Sequence, residues 1–215
     1  MMRKNFTNDL KGLQSDLLAM GALVDGALHE ALTALKNHDI QLAGKIIEHD
    51  SIIDEMQIAI EDKCLMLIAL QQPLATDLRI LSTALKITID LERIGDHAKN
   101  ISEVTIEIGR QSLLKPLKDI SAMTEKVRAM LKDALRAHLE MDTSLAEAVW
   151  RADDEVDDLC ESLLRELLTG MASDPSTIHQ AGQFLYIARC LERAGDHASN
   201  IAECVVFLAT GQRIK

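Results

Sequence analysis

The sequence predicts an all-α protein built from two tandem antiparallel three-helix bundles. Only 2% of its 215 residues are aromatic and three are proline, a composition that favours a few long helices over strands. The chain also contains a duplication, since LERIGDHAKNI at Leu91–Ile101 returns as LERAGDHASNI at Leu191–Ile201. These copies differ at two positions, which indicates that two similar halves follow each other in the chain.

Apolar residues at alternating steps of three and four predict three helices in the first half. Helix one covers residues 5–37, and the polar break that follows it caps helix two, Ile40–Leu70. Pro73 ends that pattern and suits the first turn of helix three, where its missing N–H has no consequence. Helix three continues through the duplicated segment to about Gly109.

The second half repeats this plan. Pro116 opens helix four, which runs to about Met141, and helix five follows from residue 142 or 143 to a stop near Gly170. An aspartate followed by Pro175 opens helix six, which runs to about Thr210. All three prolines therefore fall at predicted helix starts, and no strand pattern competes.

These six helices predict an N-terminal bundle over residues 1–112 and a C-terminal bundle over residues 113–215, lying end to end. One six-helix bundle is the alternative. The boundary near Gln111–Lys115 is weakly marked in the sequence, so a long helix shared by both halves also stays open.

Composition narrows the classes of function. The net charge is −11, with 34 acidic against 23 basic residues, which disfavours binding to a nucleic-acid backbone. Uninterrupted apolar runs are far shorter than the ~20 residues of a membrane span, and the first residues lack the apolar core of a signal peptide. The four cysteines show no CxxC spacing, which is typical of buried, reduced thiols in a cytoplasmic protein.

The duplicated segment carries a polar stripe. Because each helical residue turns about 100°, Glu92, Asp96, Asn100 and Glu103 fall within about 80° of one another, and their equivalents in the second half do the same. The apolar stripe of the same helix lies on nearly the opposite side. Any site made by these side chains therefore lies on the surface of a bundle.

A second set of acids precedes the first. Helix two carries Asp50 and Asp54, and helix five carries Asp153 and Asp157, again four residues apart. Like charges at this spacing repel by roughly 0.2–0.5 kcal/mol per pair, so four such pairs call for a compensating cation. The predicted metal ligands are Asp50, Asp54, Glu92, Asp96, Asp153, Asp157, Glu192 and Asp196.

Glycine supports the same interpretation. Gly95 and Gly195 lie between the apolar and acidic stripes, where a missing side chain lets the neighbouring helix approach closely enough for both helices to reach one ion. An all-oxygen ligand set suits Fe, Mn, Mg or Ca and less typically Zn. His97 and His197 are possible extra ligands, but they point about 140° away from Glu92 and Glu192 on the helix, which favours solvated or bundle-edge residues. The alternative is a solvated acidic face in which Arg93 or Arg193 pairs with its neighbours.

With these motifs the chain resembles the PhoU family over its whole length. The resemblance rests on the duplicated Glu-xxx-Asp signature, on the Asp-xxx-Asp pairs before it, and on the segment from Gln72-Pro73 to Asp77-Leu78-Arg79. The second half departs from that segment, because Thr177-Ile178-His179 stands where Asp77-Leu78-Arg79 stands in the first.

The resemblance implies two three-helix bundles that hold multinuclear metal clusters, often of iron and sometimes of zinc or manganese, on their surfaces. It also implies a cytoplasmic, commonly dimeric adaptor between the ATP-binding subunit of a phosphate ABC transporter and a sensor histidine kinase. Such proteins repress phosphate uptake and phosphate-starvation signalling when phosphate is plentiful. They meet the membrane only through these partners.

The sequence contains no phosphate-binding glycine loop and no grouping with an evident nucleophile, which favours a regulator over an enzyme. The alternative is a carboxylate-bridged metal store or di-metal enzyme on a helical bundle. Such bundles place their ligands inside and use Glu-x-x-His, whereas Gly95 stands three residues after Glu92. An accessory of a different phosphate permease is a third possibility.

Overall fold

The chain folds into six long α-helices. The computed structural model describes residues 2–114 and 117–212, which contain no β-strand. The helices are α1 (Met2–Asn37), α2 (Ile40–Gln71), α3 (Ala75–Ile108), α4 (Lys118–Glu140), α5 (Thr143–Ser173) and α6 (Ile178–Thr210), with a 3-10 turn at Pro175–Thr177. The predicted all-α fold is confirmed.

The helix ends follow the capping residues in the sequence. The Asp39 side chain accepts a hydrogen bond from the backbone N–H of Leu42 at 2.9 Å, and Asp142 caps α5 in the same way. Several predicted ends differ. Helix α3 begins two residues after Pro73, because Gln72 adopts a left-handed conformation and Leu74 precedes the helix in an extended one. Helix α4 begins at Lys118, and Pro175 opens the 3-10 turn, so that α6 begins only at Ile178. Helix α5 passes through Gly170, where the chain stays helical to Ser173.

Each half is a three-helix bundle, and the two bundles lie side by side. Helices α1, α2 and α3 pack on one another, as do α4, α5 and α6, while α3 packs along α6 and α1 against α4. The prediction of an end-to-end arrangement is therefore wrong, because α3 and α6 carry a second buried face. Residues 109–114 are not helical, so no helix is shared between the halves, and Pro116 lies outside the described residues.

Helices α3 and α6 lie at the centre of the molecule. Each contacts two helices of its own bundle and one central helix of the other, and their large side chains such as Leu91, Ile94 and Phe184 are fully buried. Burying a side chain of this size stabilises the fold by roughly 1.5–3 kcal/mol. The duplicated segments therefore lie in the packed centre of the protein, with α2 and α5 beside them.

Helix α1 is long and apolar enough for Phe6–Asn37 to cross a membrane by length and composition alone. In the fold its apolar residues, among them Leu17 and Val24, face the bundle core. Two of its acids form ion pairs: Asp16 contacts Lys63 of α2 at 2.6 Å, and Asp25 contacts Arg128 of α4 at 2.7 Å. This is the pattern of a core helix, which passes the same test of length and composition.

Candidate metal centres

The first candidate centre lies between α2 and α3. Helix α2 presents Asp50 and Asp54, and α3 presents Glu92 and Asp96 on the adjoining face. A Cβ atom added at Gly95 would lie 3.0 Å from Cδ1 of Ile53 and 3.9 Å from Oδ1 of Asp50. The predicted role of this glycine is confirmed: the two helices approach over a bare stretch of backbone.

Two basic side chains already neutralise part of this centre. The Lys99 ammonium donates to Oδ2 of Asp50 at 2.7 Å, and the Asp50 side chain is only 5% exposed. Arg93 reaches Oδ2 of Asp96 at 3.2 Å and lies 3.4 Å from Oε2 of Glu92. The pairing of Arg93 with Asp96, the alternative to metal binding, is thus present, and this arginine is 55% exposed.

The second centre lies between α5 and α6 and contains Asp153, Asp157, Glu192 and Asp196. A Cβ atom at position 195 would lie 2.9 Å from Oδ1 of Asp153, so the absent side chain leaves room for that carboxylate.

Hydrogen bonding in the second centre differs from that in the first. The hydroxyl of Ser199 donates to Oδ2 of Asp153 at 2.8 Å, where the first centre has an ammonium. Arg189 reaches Oε1 of Glu192 at 2.5 Å from an exposed position. The buried aspartate of this centre therefore has a neutral partner.

The pKa values of five carboxyl groups in the two centres are raised by burial and by neighbouring carboxylates. Burial raises the pKa of Asp54, Glu92, Asp157 and Glu192, and neighbouring carboxylates raise each of them further. Burial raises the pKa of Asp153 to about 6, with Asp196 and Asp157 adding to the effect against the hydrogen bond from Ser199. The hydrogen bond to Asp50 raises the pKa of Lys99, which keeps that side chain charged.

One carboxylate oxygen in each centre is buried without a hydrogen bond. These atoms are Oε2 of Glu92 and Oδ1 of Asp153. A buried carboxylate oxygen without a donor is costly, and a bound cation would satisfy it.

The oxygen donors fit a hard or borderline cation in chemistry and location. In the described ranges, however, no group of three or more His, Cys, Asp or Glu side chains is already arranged around one point. Binding an ion therefore requires the four carboxylates of a centre to turn toward each other. Without a cation the four carboxylates repel one another, which explains why they are not already turned toward one point.

The histidines of the duplicated segments lie away from the acids. The rings of His97 and His197 face each other between α3 and α6, with centroids 5.8 Å apart, and Nδ1 of His197 lies 2.9 Å from Oδ1 of Asp90. The expectation of a solvated or bundle-edge residue is wrong for His97, which is 7% exposed, because the second packing face of α3 covers it. Burial lowers the pKa of His97 to about 4.

The predicted polar stripe divides in the structure. Glu92 and Asp96 face α2, whereas Asn100 and Glu103 line a cleft beside α6 that Tyr186 also lines. The sequence interpretation overlooked Lys99 and Ser199 as partners of the buried aspartates. The duplicated segments differ at this position, but the sequence alone does not show which way either side chain points.

Comparison with known proteins agrees with this architecture. The family model of the PhoU domain matches the chain twice, over residues 17–105 and 120–205. The chain belongs to the PhoU family. The two matches correspond to the two bundles, and the resemblance drawn from the acidic motifs is confirmed.

Relatives in the PhoU family match over nearly the full length. The chain is 40% identical over 215 residues to the "phosphate-specific transport system accessory protein PhoU homolog" of Clostridium acetobutylicum, covering all of this chain and 98% of that protein. A protein of the same name from Caulobacter vibrioides is 38% identical over 98% of this chain and 92% of its own.

Solved PhoU structures share the fold. The crystal structure of PhoU from Pseudomonas aeruginosa superposes with a TM-score of 0.92 at 36% identity, over 96% of this chain and 100% of that one. The phosphate transport system regulatory protein PhoU from Streptococcus pneumoniae gives a TM-score of 0.91 at 32% identity, over 98% and 99% of the two chains.

Proposed function

We propose that this chain is a cytoplasmic accessory protein of phosphate transport that represses phosphate uptake and phosphate-starvation signalling. The observation that carries the proposal is the full-length similarity, at 40% and 38% identity, to proteins named as accessory proteins of the phosphate-specific transport system. Its partners are the ATP-binding subunit of a phosphate ABC transporter and a sensor histidine kinase, and it acts as a homodimer. These partner assignments follow the resemblance of its motifs to the family.

The proposed role is that of an adaptor and not of an enzyme. The four cysteines are buried and form no disulfide bond with each other, and burial raises the pKa of Cys64 and Cys190 to about 11. Thiols of this kind stay protonated at neutral pH and are poor nucleophiles. The acidic centres lie at the outer edges of two bundles, where a partner protein or a metal ion can reach them.

The acidic centres are proposed to bind metal ions, with iron as the favoured metal and zinc, manganese and magnesium as alternatives. Asp50, Asp54, Glu92 and Asp96 hold the first ion or cluster; Asp153, Asp157, Glu192 and Asp196 hold the second. A bound cation supplies positive charge that neutralises these carboxylates. The aspartates on α2 and α5 and the acids on α3 and α6 then fix how each outer helix packs on its central helix.

A reporter of phosphate repression tests this proposal. In the source organism lacking this gene and grown with ample phosphate, we expect high alkaline phosphatase activity that the intact gene returns to baseline. Activity that stays low without the gene would overturn the regulatory role.

The same reporter tests the metal centres. A gene carrying Glu92→Gln, Asp96→Asn, Glu192→Gln and Asp196→Asn should fail to repress. A matched control carries Glu161→Gln and Asp133→Asn, which remove acids 61% and 44% exposed in local ion pairs, and should repress normally. Normal repression by the fourfold variant would separate regulation from metal binding. Metal loading far above a few ions per chain would instead favour the metal-store alternative.

A further inference from the structure

The two acidic centres differ in the partner of their most buried aspartate. In the first centre the Lys99 ammonium lies 2.7 Å from Oδ2 of Asp50; in the second the Ser199 hydroxyl lies 2.8 Å from Oδ2 of Asp153. Both donors occupy the same position of the duplicated segment. The same oxygen is therefore held by a positive charge in one half and by a neutral dipole in the other.

This difference is not offset by the arginines. Arg93 pairs with the acids of the first centre and Arg189 with Glu192 of the second, and their side chains are 55% and 66% exposed. Either guanidinium can swing into solvent when an ion binds. Lys99 is 33% exposed and its ammonium is fixed on an aspartate that is only 5% exposed. It therefore stays inside the first centre.

The second centre has an unmet requirement for positive charge. Oδ1 of Asp153 is buried without a hydrogen bond, and the backbone at Gly195 leaves this oxygen the space it occupies. Two further acids on α5, Asp154 and Asp158, lie close enough to act on Asp157. An incoming divalent ion meets no positive charge on Ser199, the side chain that donates to Asp153.

We propose that Lys99 is a built-in counter-ion that weakens the first centre for divalent metal, so that the second centre fills first. The inference rests on the proposed metal-binding function and adds an order to it. Repulsion between an ammonium and a divalent ion a few ångströms apart weakens binding by about tenfold or more even when screened as in water. The N-terminal bundle is then held together by Lys99 without metal, and the C-terminal bundle is the half that responds to metal supply.

Binding of Mn²⁺ to the purified full chain tests the order of filling, with free Mn²⁺ counted by electron paramagnetic resonance. Glu92→Gln with Asp96→Asn isolates the second centre, and Glu192→Gln with Asp196→Asn isolates the first. We expect the isolated first centre to bind at least about tenfold more weakly than the isolated second. Adding Lys99→Ser to the variant that keeps only the first centre should raise its affinity for Mn²⁺ about tenfold. Lys99→Arg, which keeps the charge, should leave that affinity unchanged.

The reciprocal change is Ser199→Lys in the chain with only the second centre, which should lose about tenfold in affinity. Circular dichroism verifies that each variant is folded, and if Ser199→Lys is not, the Lys99→Ser comparison decides alone. Equal affinity of the two isolated centres, with no effect of Lys99→Ser, would overturn this inference and leave metal binding standing. Absence of binding of Mn²⁺ and of Fe²⁺ by the wild-type chain would overturn the proposed metal function and this inference with it.

Discussion

Neutralising the same aspartate in the two halves should have opposite effects on stability. Asp153 and Asp50 occupy equivalent places, but Asp153 has a neutral partner and a buried oxygen without a donor, while Asp50 pairs with Lys99. Asp153→Asn removes a charge that nothing compensates. Asp50→Asn removes one partner of an ion pair and leaves an ammonium facing an amide.

The expected size follows from the proton affinity of Asp153. Its pKa rises from 3.8 to about 6 on folding, mainly through burial. A tenfold change in proton affinity corresponds to about 1.4 kcal/mol, so ionising this group disfavours the folded state by about 3 kcal/mol at most. Because Asp153 is partly exposed, we expect Asp153→Asn to raise the free energy of unfolding by about 1–2 kcal/mol at about pH 8.

The size of this gain depends on pH. A carboxyl whose pKa is raised by folding contributes stability below its unfolded value of 3.8, and this contribution is lost as pH rises through about 6. The advantage of Asp153→Asn should therefore be full above about pH 7 and absent below about pH 4. Urea unfolding of the chelator-treated protein, followed by circular dichroism at several pH values, measures this dependence.

Asp50→Asn is the matched control. A hydrogen bond between charged groups contributes roughly 1.5–3 kcal/mol, and partial exposure of Lys99 reduces the loss to about 1–2 kcal/mol. Destabilisation by both substitutions, or a gain that does not change with pH, would refute the assignment of uncompensated charge to the second centre.

Three further predictions concern other parts of the fold. Gly195→Ala should leave the melting temperature unchanged or higher, because the one close approach of the added Cβ is to a carboxylate oxygen of Asp153 at 2.9 Å, at the end of a side chain that can turn. The same substitution should weaken Mn²⁺ binding by displacing that oxygen. His138 is buried with Nε2 unpartnered, and burial lowers its pKa to about 4. His138→Leu should therefore remove part of the stability loss that develops as pH falls from 6.5 to 4 in urea titrations. Arg128→Ala should lower the free energy of unfolding by about 1–3 kcal/mol in the same assay, because it breaks the contact with Asp25 at 2.7 Å between α4 and α1.

The helices could be predicted because their signals are local. The apolar period of 3.6 and caps such as Asp39 depend on neighbouring residues only, so the predicted ends lie within a few residues of the observed ones. Packing between the halves is a non-local property. The second packing face of α3 contains polar residues such as Asp90, His97 and Glu107, which contact His197 and Gln183 of α6 and which periodicity does not mark as apolar.

The sequence also predicted that acids on neighbouring helices lie close together. Two acids four residues apart share a helix face, and Gly95 and Gly195 mark where the next helix comes close. The hydrogen-bond partners of Asp50 and Asp153 could not be predicted. Whether the residue at position 99 or 199 points toward α2 or α5 depends on how the helices are rotated against each other. Whether metal binds at these acids stays a prediction.

The two halves differ in charge beside the aspartate on α2 or α5 because the duplicated segment has Lys99 in one copy and Ser199 in the other. Both copies keep the acids and the glycine, so each retains the repulsion and the close helix approach that make a cation useful. Lys99 supplies a covalently attached cation that is always present, whereas Ser199 leaves that requirement to whatever ion the surroundings provide. Under the proposed order of filling, the N-terminal half keeps its packing and the C-terminal half changes its packing with the supply of metal. This difference between the halves is the reason that Asp50→Asn should lower the free energy of unfolding and Asp153→Asn should raise it.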